Sequence, residues 1–295
     1  MAGLLQKFSS LFRAPPSSEP RPAPAVASPP VRPPSHTLRN TQLRALPRAA
    51  NGREYLVYVA FPYSYNQDPT RRYPVLYACD AYWHFTLLNG LYAGLVQDRL
   101  VPEYLTIGIG YAGENPDYDR LRQSDLSPVR VSLLGPAGKA ADFLHVLQTE
   151  LIPYVDQTFR TDPRNRVLAG SSLGGLFTLY SLFSQPQLFS GGIAISPSVA
   201  LGNDWIFGFE ENFARATKTL ECRLYMACGG SEFPSFVASI QRFNQQLARR
   251  QYAGFAREFR VIEGERHSSA MPEALSRGLR FVLEPLAPES GPQRE

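Results

Sequence analysis

The segment that most constrains this chain is Arg166-Val-Leu-Ala-Gly170-Ser171-Ser172-Leu173-Gly174-Gly175-Leu-Phe-Thr-Leu-Tyr180, a short apolar run passing through Gly and Ser into an amphipathic helical pattern. It predicts a buried strand, a tight reversal and a helix, with the G-x-S-x-G spacing of a nucleophile elbow. In such a turn the central residue takes strained backbone geometry. Glycines two before and two after it let the helix and the neighbouring strands approach closely. Register selects Ser172, flanked by Gly170 and Gly174; centring on Ser171 would put Ala169 and Leu173 in those places. The N–H of Leu173, at the start of the helix, lies where an oxyanion would form.

A serine hydroxyl is a weak nucleophile until a base takes its proton. The chain has four histidines. His36 borders a linker, His84 begins a helix after the third strand, and His145 sits in the amphipathic run 140–157, where surface or structural roles suit it. His267 follows the last expected strand, Phe259-Arg-Val-Ile-Glu-Gly264, and precedes a helix over 272–283 with Ala274, Leu275, Leu279 and Val282 on one face. A carboxylate that fixes the imidazole tautomer belongs between Ser172 and His267 in chain order. Glu232, in Gly229-Gly-Ser-Glu232 after the strand Leu224–Cys228, is the leading candidate; Asp204 is the fallback, and a Ser/His dyad is the third possibility. The second oxyanion donor is expected from Cys79-Asp80-Ala81-Tyr82-Trp83, at the N–H of Ala81. Tyr82, Trp83 and Trp205 either line an acyl or alcohol pocket or pack as lid and core.

Around this segment, strands are expected near 38–47, 54–62, 74–79, 104–110, 166–170, 190–196, 222–228 and 257–262, with helical periodicity between most of them. After an antiparallel N-terminal hairpin the order is βαβα. That order implies an α/β fold with a mostly parallel central sheet and helices on both faces. Functional groups are then expected on loops leaving the carboxyl ends of the strands. The domain spans 36–288, with a disordered tail at 289–295. Residues 15–34 hold nine prolines and read as a disordered linker. Ahead of it, within 1–35, Leu4, Leu5, Phe8, Leu11 and Phe12 make one face of a short amphipathic helix. Gln6-Lys7 and Ser9-Ser10 interrupt the apolar run that a secretory signal needs, leaving a frayed or self-docking helix, or one touching a membrane surface or partner protein.

The net charge of +4 is concentrated at the start of the chain, where residues 1–50 carry seven Lys/Arg against one acid. These are scattered among prolines without interleaved aromatics, so no nucleic-acid surface is implied. Gly108-Ile-Gly110-Tyr-Ala-Gly113 matches G-x-G-x-x-G, but Glu114-Asn-Pro-Asp-Tyr-Asp continues as a breaker-rich loop and no acid follows about 20 residues on. No metal spacing is present, so neither a metal nor a cofactor is expected. Cys79, Cys222 and Cys228 are odd in number and lie in apolar runs. They suit buried thiols in a reducing, cytoplasmic setting.

Gly170-Ser-Ser-Leu-Gly-Gly-Leu-Phe, Ile193-Ala-Ile-Ser-Pro-Ser198 and Gly264-Glu-Arg-His267-Ser together resemble an esterase family of α/β-hydrolases, over about 36–285. That family includes the enterochelin (catecholate-siderophore) esterases and, more distantly, S-formylglutathione hydrolases and feruloyl esterases. Gly108-Ile-Gly-Tyr111 is also similar, and the loop Arg120-Leu-Arg122-Gln-Ser-Asp125-Leu-Ser-Pro128 resembles the Arg-rich segment at the mouth of siderophore-esterase sites. The resemblance implies Ser172 as nucleophile and His267 as base. Arg120 and Arg122 would contact an anionic substrate such as a ferric catecholate, or form salt bridges with Asp119 or Asp125. Two features depart from the family: no paired tryptophans follow Ser198, and Ala81 stands where relatives often have Gly. The expected chemistry is hydrolysis of a small-molecule carboxylic ester; an acyltransferase with the same triad and a non-catalytic binding protein of the same fold are the alternatives.

Overall fold

The computed structural model describes residues 37–131, 135 and 137–287. The expected amphipathic helix, the Pro-rich linker, His36 and the tail 289–295 lie outside the described residues.

Among the described residues the chain forms one sheet of eight strands: β1 (Thr41–Ala45), β2 (Tyr55–Ala60), β3 (Tyr73–Ala78), β4 (Leu105–Tyr111), β5 (Thr161–Ser171), β6 (Gly191–Ile195), β7 (Thr219–Gly229) and β8 (Ala253–Ile262). Each expected strand is present. β5, β7 and β8 begin several residues earlier than their apolar runs, because Thr161 pairs with Tyr73 and Thr219 pairs with Ala253. Pairing extends strands beyond the apolar stretch that marks them in the sequence. The order is β1-β2-β4-β3-β5-β6-β7-β8, antiparallel from β1 through β4 and parallel thereafter.

The central strands are apolar at successive positions because both faces are covered. Val75, Tyr77, Leu168, Ala194, Leu224 and Met226 point to one core. Their neighbours Leu76, Ala78, Val167, Ala169, Ile193, Ile195, Tyr225 and Ala227 point to the other. The second core is closed by α1 (Ala81–Gln97) and α8 (Met271–Leu283). On the first face lie α3 (Ala140–Val146), α4 (Ile152–Thr158), α5 (Leu173–Ser184), α6 (Leu201–Ala216) and α7 (Pro234–Ala248). A π-helical turn, Leu147–Leu151, joins α3 to α4 just before Pro153, which has no N–H for the preceding turn.

One element departs from expectation. Arg120 to Leu126, anticipated as loop, belongs to a helix, α2 (Tyr118–Leu126). Asp117 caps it, its side chain accepting the N–H of Arg120 at 3.0 Å. Pro116 and the acids around it thus act as a helix start.

Strand order also locates the functional edge. From β3 the chain crosses to β4 on one side, whereas β5 lies on the other side of β3 and leads to β6. The loops leaving β3 and β5 therefore diverge to opposite faces, opening a crevice at the carboxyl ends of the strands.

Candidate active site

Ser172 stands in that crevice between β5 and α5, with φ 58° and ψ −115°. A non-glycine residue holds such a backbone only where its surroundings enforce it. Its N–H donates to Ile195 O at 2.9 Å, and its carbonyl accepts the Ser198 N–H at 3.1 Å. A Cβ on Gly170 would come within 2.4 Å of the Gly174 backbone, and one on Gly175 within 3.0 Å of Ile195 O. Gly170 is thus required by close approach and Gly175 is tightly placed, whereas a Cβ on Gly174 would meet Asp80 Oδ2 and Cys79 Cβ at 3.3 Å. Two more non-glycine residues with positive φ end the adjacent strands, Asp80 (55°) after β3 and Ser196 (42°) after β6, so local strain gathers along this edge.

His267 and Glu232 come from the loops after β8 and β7. The two loops pack backbone to backbone: Ser231 N–H donates to Glu265 O at 2.8 Å, and a Cβ on Gly229 would lie 2.4 Å from the same oxygen. Glu232 Oε2 meets His267 Nδ1 at 2.6 Å. Its Oε1 accepts the Ser196 hydroxyl at 2.6 Å and the Gly229 N–H at 2.8 Å. The carboxylate is 4% exposed and the imidazole 44%. A buried carboxylate with both oxygens engaged holds the ring with Nδ1 facing inward, and Phe236 packs edge-on at 5.5 Å between ring centres. The Ser172 hydroxyl lies 3.4 Å from Ser198 Oγ; no direct hydrogen bond joins it to His267, as is common before substrate tightens a site. Asp204 is engaged elsewhere, paired with Arg242 at 2.7 Å.

The amides of Leu173 and Ala81 begin α5 and α1, where N–H groups have no partner within the helix. Ala81 is held by close packing: a Cβ on Gly108 of β4 would fall 2.7 Å from its methyl. The G-x-G run therefore serves backbone approach, Gly110 being likewise packed on Tyr58. Above this loop Tyr82 stacks on Tyr118 at 4.3 Å, and Trp83, 46% exposed, lies beside them. Trp205 instead stacks on Phe209 at 4.7 Å and packs near Tyr180 of α5. Arg120 is exposed on α2. Arg122 pairs with Asp80 at 2.8 Å, while Asp125 is taken by Arg53 at 2.6 Å. Asp80 and Ser196 were not singled out from sequence, although both directly follow strands at the carboxyl edge.

His84 is partly buried beneath the loop, which depresses its imidazole below the ordinary 6.5; Asp80 opposes this shift and Arg122 adds to it. His145 is exposed on α3. Burial pushes the thiols of Cys222 and Cys228 up to about 12 and that of Cys79 well above its ordinary value. No thiolate therefore competes with Ser172. Among the described residues no cluster of His, Cys, Asp and Glu could hold a metal ion.

A parallel-centred sheet whose sharp elbow opens at its switch point is the α/β-hydrolase architecture, and the chain is a serine ester hydrolase. Residues 49–229 match the family described as "Putative esterase", and the chain belongs to it. It is 28% identical to the ferri-bacillibactin esterase BesA of Bacillus subtilis over 273 residues, covering 85% of this chain and 92% of the relative. It resembles the crystal structure of the BES protein from Bacillus cereus, with TM-score 0.76 and 26% identity over 86% of this chain and 99% of that one. The siderophore hydrolase EstB from Aspergillus nidulans shares the fold, with TM-score 0.75 and 23% identity over 87% of this chain and 100% of that one. The comparisons favour neither an acyltransferase nor a non-catalytic protein.

Proposed function

We propose that the chain cleaves its ester through an acyl-enzyme on Ser172. His267 takes the hydroxyl proton as Oγ attacks the carbonyl carbon, and passes it to the departing alkoxide; water then attacks the acyl group by the reverse route. Glu232 orients His267 and steadies its cation, and the Leu173 and Ala81 amides hold the oxyanion. The observation that carries this reading is the 2.6 Å contact of Glu232 with His267 on the sheet edge that bears the Ser172 elbow. A fluorophosphonate probe should label the wild type and fail on Ser172→Ala; equal labelling of both overturns it.

The substrate proposed is a siderophore-type ester, with Trp83 and Arg120 as contacts at the mouth. The names of the relatives and the exposed Tyr82 and Trp83, packed beside the partly buried Tyr118, support it. A panel of nitrophenyl esters of different acyl length, extended to a ferric catecholate lactone, tests it: preference for the lactone is expected, and indifference to it overturns the assignment. No described helix is long and apolar enough to cross a membrane. With three free, buried cysteines, the enzyme is proposed to act in the cytoplasm, its first residues touching a membrane surface or partner. Fractionation of cells expressing the full chain, and a chain starting at residue 36, tests both points.

A further inference from the structure

The guanidinium of Arg122 is turned inward. Its Nε donates to Asp80 Oδ1 at 2.9 Å and its Nη2 to Asp80 Oδ2 at 2.8 Å, a bidentate pair. The carboxylate is 2% exposed and the arginine 16%. Asp80 takes the left-handed conformation immediately before Ala81, and its carbonyl accepts the N–H groups of Trp83 and His84 at 3.0 and 3.3 Å. Its side chain caps nothing in α1. It reaches instead toward the elbow, where Oδ2 is 3.3 Å from the place a Cβ on Gly174 would occupy. One residue thus touches the first turns of both helices whose leading amides are the proposed oxyanion donors.

α2 is a firm base for this grip. Asp125, three residues after Arg122, accepts Arg53 Nε at 2.6 Å and the Tyr55 hydroxyl at 2.8 Å, tying the helix to β2. Arg122 also lies 5.6 Å from the Trp83 ring centre. A carboxylate as buried as Asp80 needs a paired cation. A bare negative charge there would also oppose an oxyanion forming nearby.

We infer that Arg122 is a positioning residue for the oxyanion hole: through Asp80 it fixes the turn that presents the Ala81 N–H beside Ser172, and it neutralises the carboxylate there. This rests on the assignment of the Ala81 and Leu173 amides as oxyanion donors.

The test uses full-length wild type, R122Q, R122K, D80N and R122Q/D80N, with nitrophenyl butyrate as a neutral ester and nitrophenyl hemisuccinate as an anionic one. R122Q should lower kcat roughly ten- to a hundredfold on both esters, short of the 10²–10³ for a donor removed outright. KM should stay within about twofold, and the Ki of a boronic acid, which forms a tetrahedral adduct on serine, should rise in step with the loss in kcat/KM. R122K should fall between wild type and R122Q. In the D80N background R122Q should add little, since both changes break one contact.

A rise in KM confined to the hemisuccinate makes Arg122 a substrate contact and overturns the inference, as does unchanged kcat or full additivity with D80N. Should R122Q melt at assay temperature, R122K and D80N, which keep charge or shape, make the same comparison. If the wild type neither turns over these esters nor takes a fluorophosphonate label, the catalytic reading falls and this role with it. An active wild type with an unaltered R122Q overturns the role of Arg122 alone.

Discussion

Glu232 Oε2 and His267 Nδ1 stand 2.6 Å apart across two loops that leave adjacent strands, β7 and β8. The other carboxylate oxygen is held by Ser196 and Gly229, so the acid is fixed before the histidine meets it. Glu232→Gln keeps the shape but presents the imidazole with an amide and favours the wrong tautomer. We expect kcat on nitrophenyl butyrate to fall about 10³- to 10⁴-fold. Asp204→Asn, which loses a surface pair with Arg242, should leave kcat within about twofold and stability within about 1 kcal/mol.

Ser196 holds the proposed acid from one residue further away. Its hydroxyl donates to a carboxylate that is 4% exposed, and a hydrogen bond to such a charge is worth about 1.5–3 kcal/mol. Ser196→Ala should therefore lower the urea midpoint and reduce kcat about tenfold with little change in KM.

Gly108→Ala tests the seating of the Ala81 loop. The new methyl would meet the Ala81 Cβ at 2.7 Å and Phe85 at 3.1 Å. Overpacking of this kind costs about 1–3 kcal/mol, and displacement of Ala81 should also cut kcat. Adding Ala81→Gly removes the closest contact and should restore much of the activity; no recovery in the double variant would assign the loss to Phe85 and Tyr58 instead.

Burial holds the folded-state pKa of His84 below its ordinary 6.5. Well above 6.5 the ring is neutral in both folded and unfolded chains and contributes no pH dependence. As the pH falls below that value, the unfolded chain takes up a proton that the folded one resists, and stability is lost. Urea midpoints at pH 7.5 and 5 should therefore fall further for wild type than for His84→Asn. Equal slopes would show that His84 titrates normally in the folded state.

The alternation of apolar runs with helical patterns disclosed the central strands, because each is buried on both faces and carries that burial in its own residues; the edge strands β1 and β8 are exposed or half-buried along most of their length and showed instead by their place in the pattern. The elbow was as legible. Register alone separates Ser172 from Ser171, and Gly170 answers to the Gly174 backbone four residues on. His267 stood out for a related reason, its place after the last strand.

What sequence left open was decided by partners far apart in the chain. Glu232 and Asp204 both fit between serine and histidine; the loop after β7 touches the histidine loop, whereas Asp204 meets Arg242. Arg122 had Asp119 and Asp125 as near neighbours, yet its partner is Asp80, 42 residues away. That pairing joins α2, which follows β4, to the loop after β3, and β4 and β3 are neighbours in the sheet. Local backbone preference and burial thus wrote the elements and the strained Ser172 turn into the sequence, while strand order and the packing of loops at one sheet edge selected which charges meet.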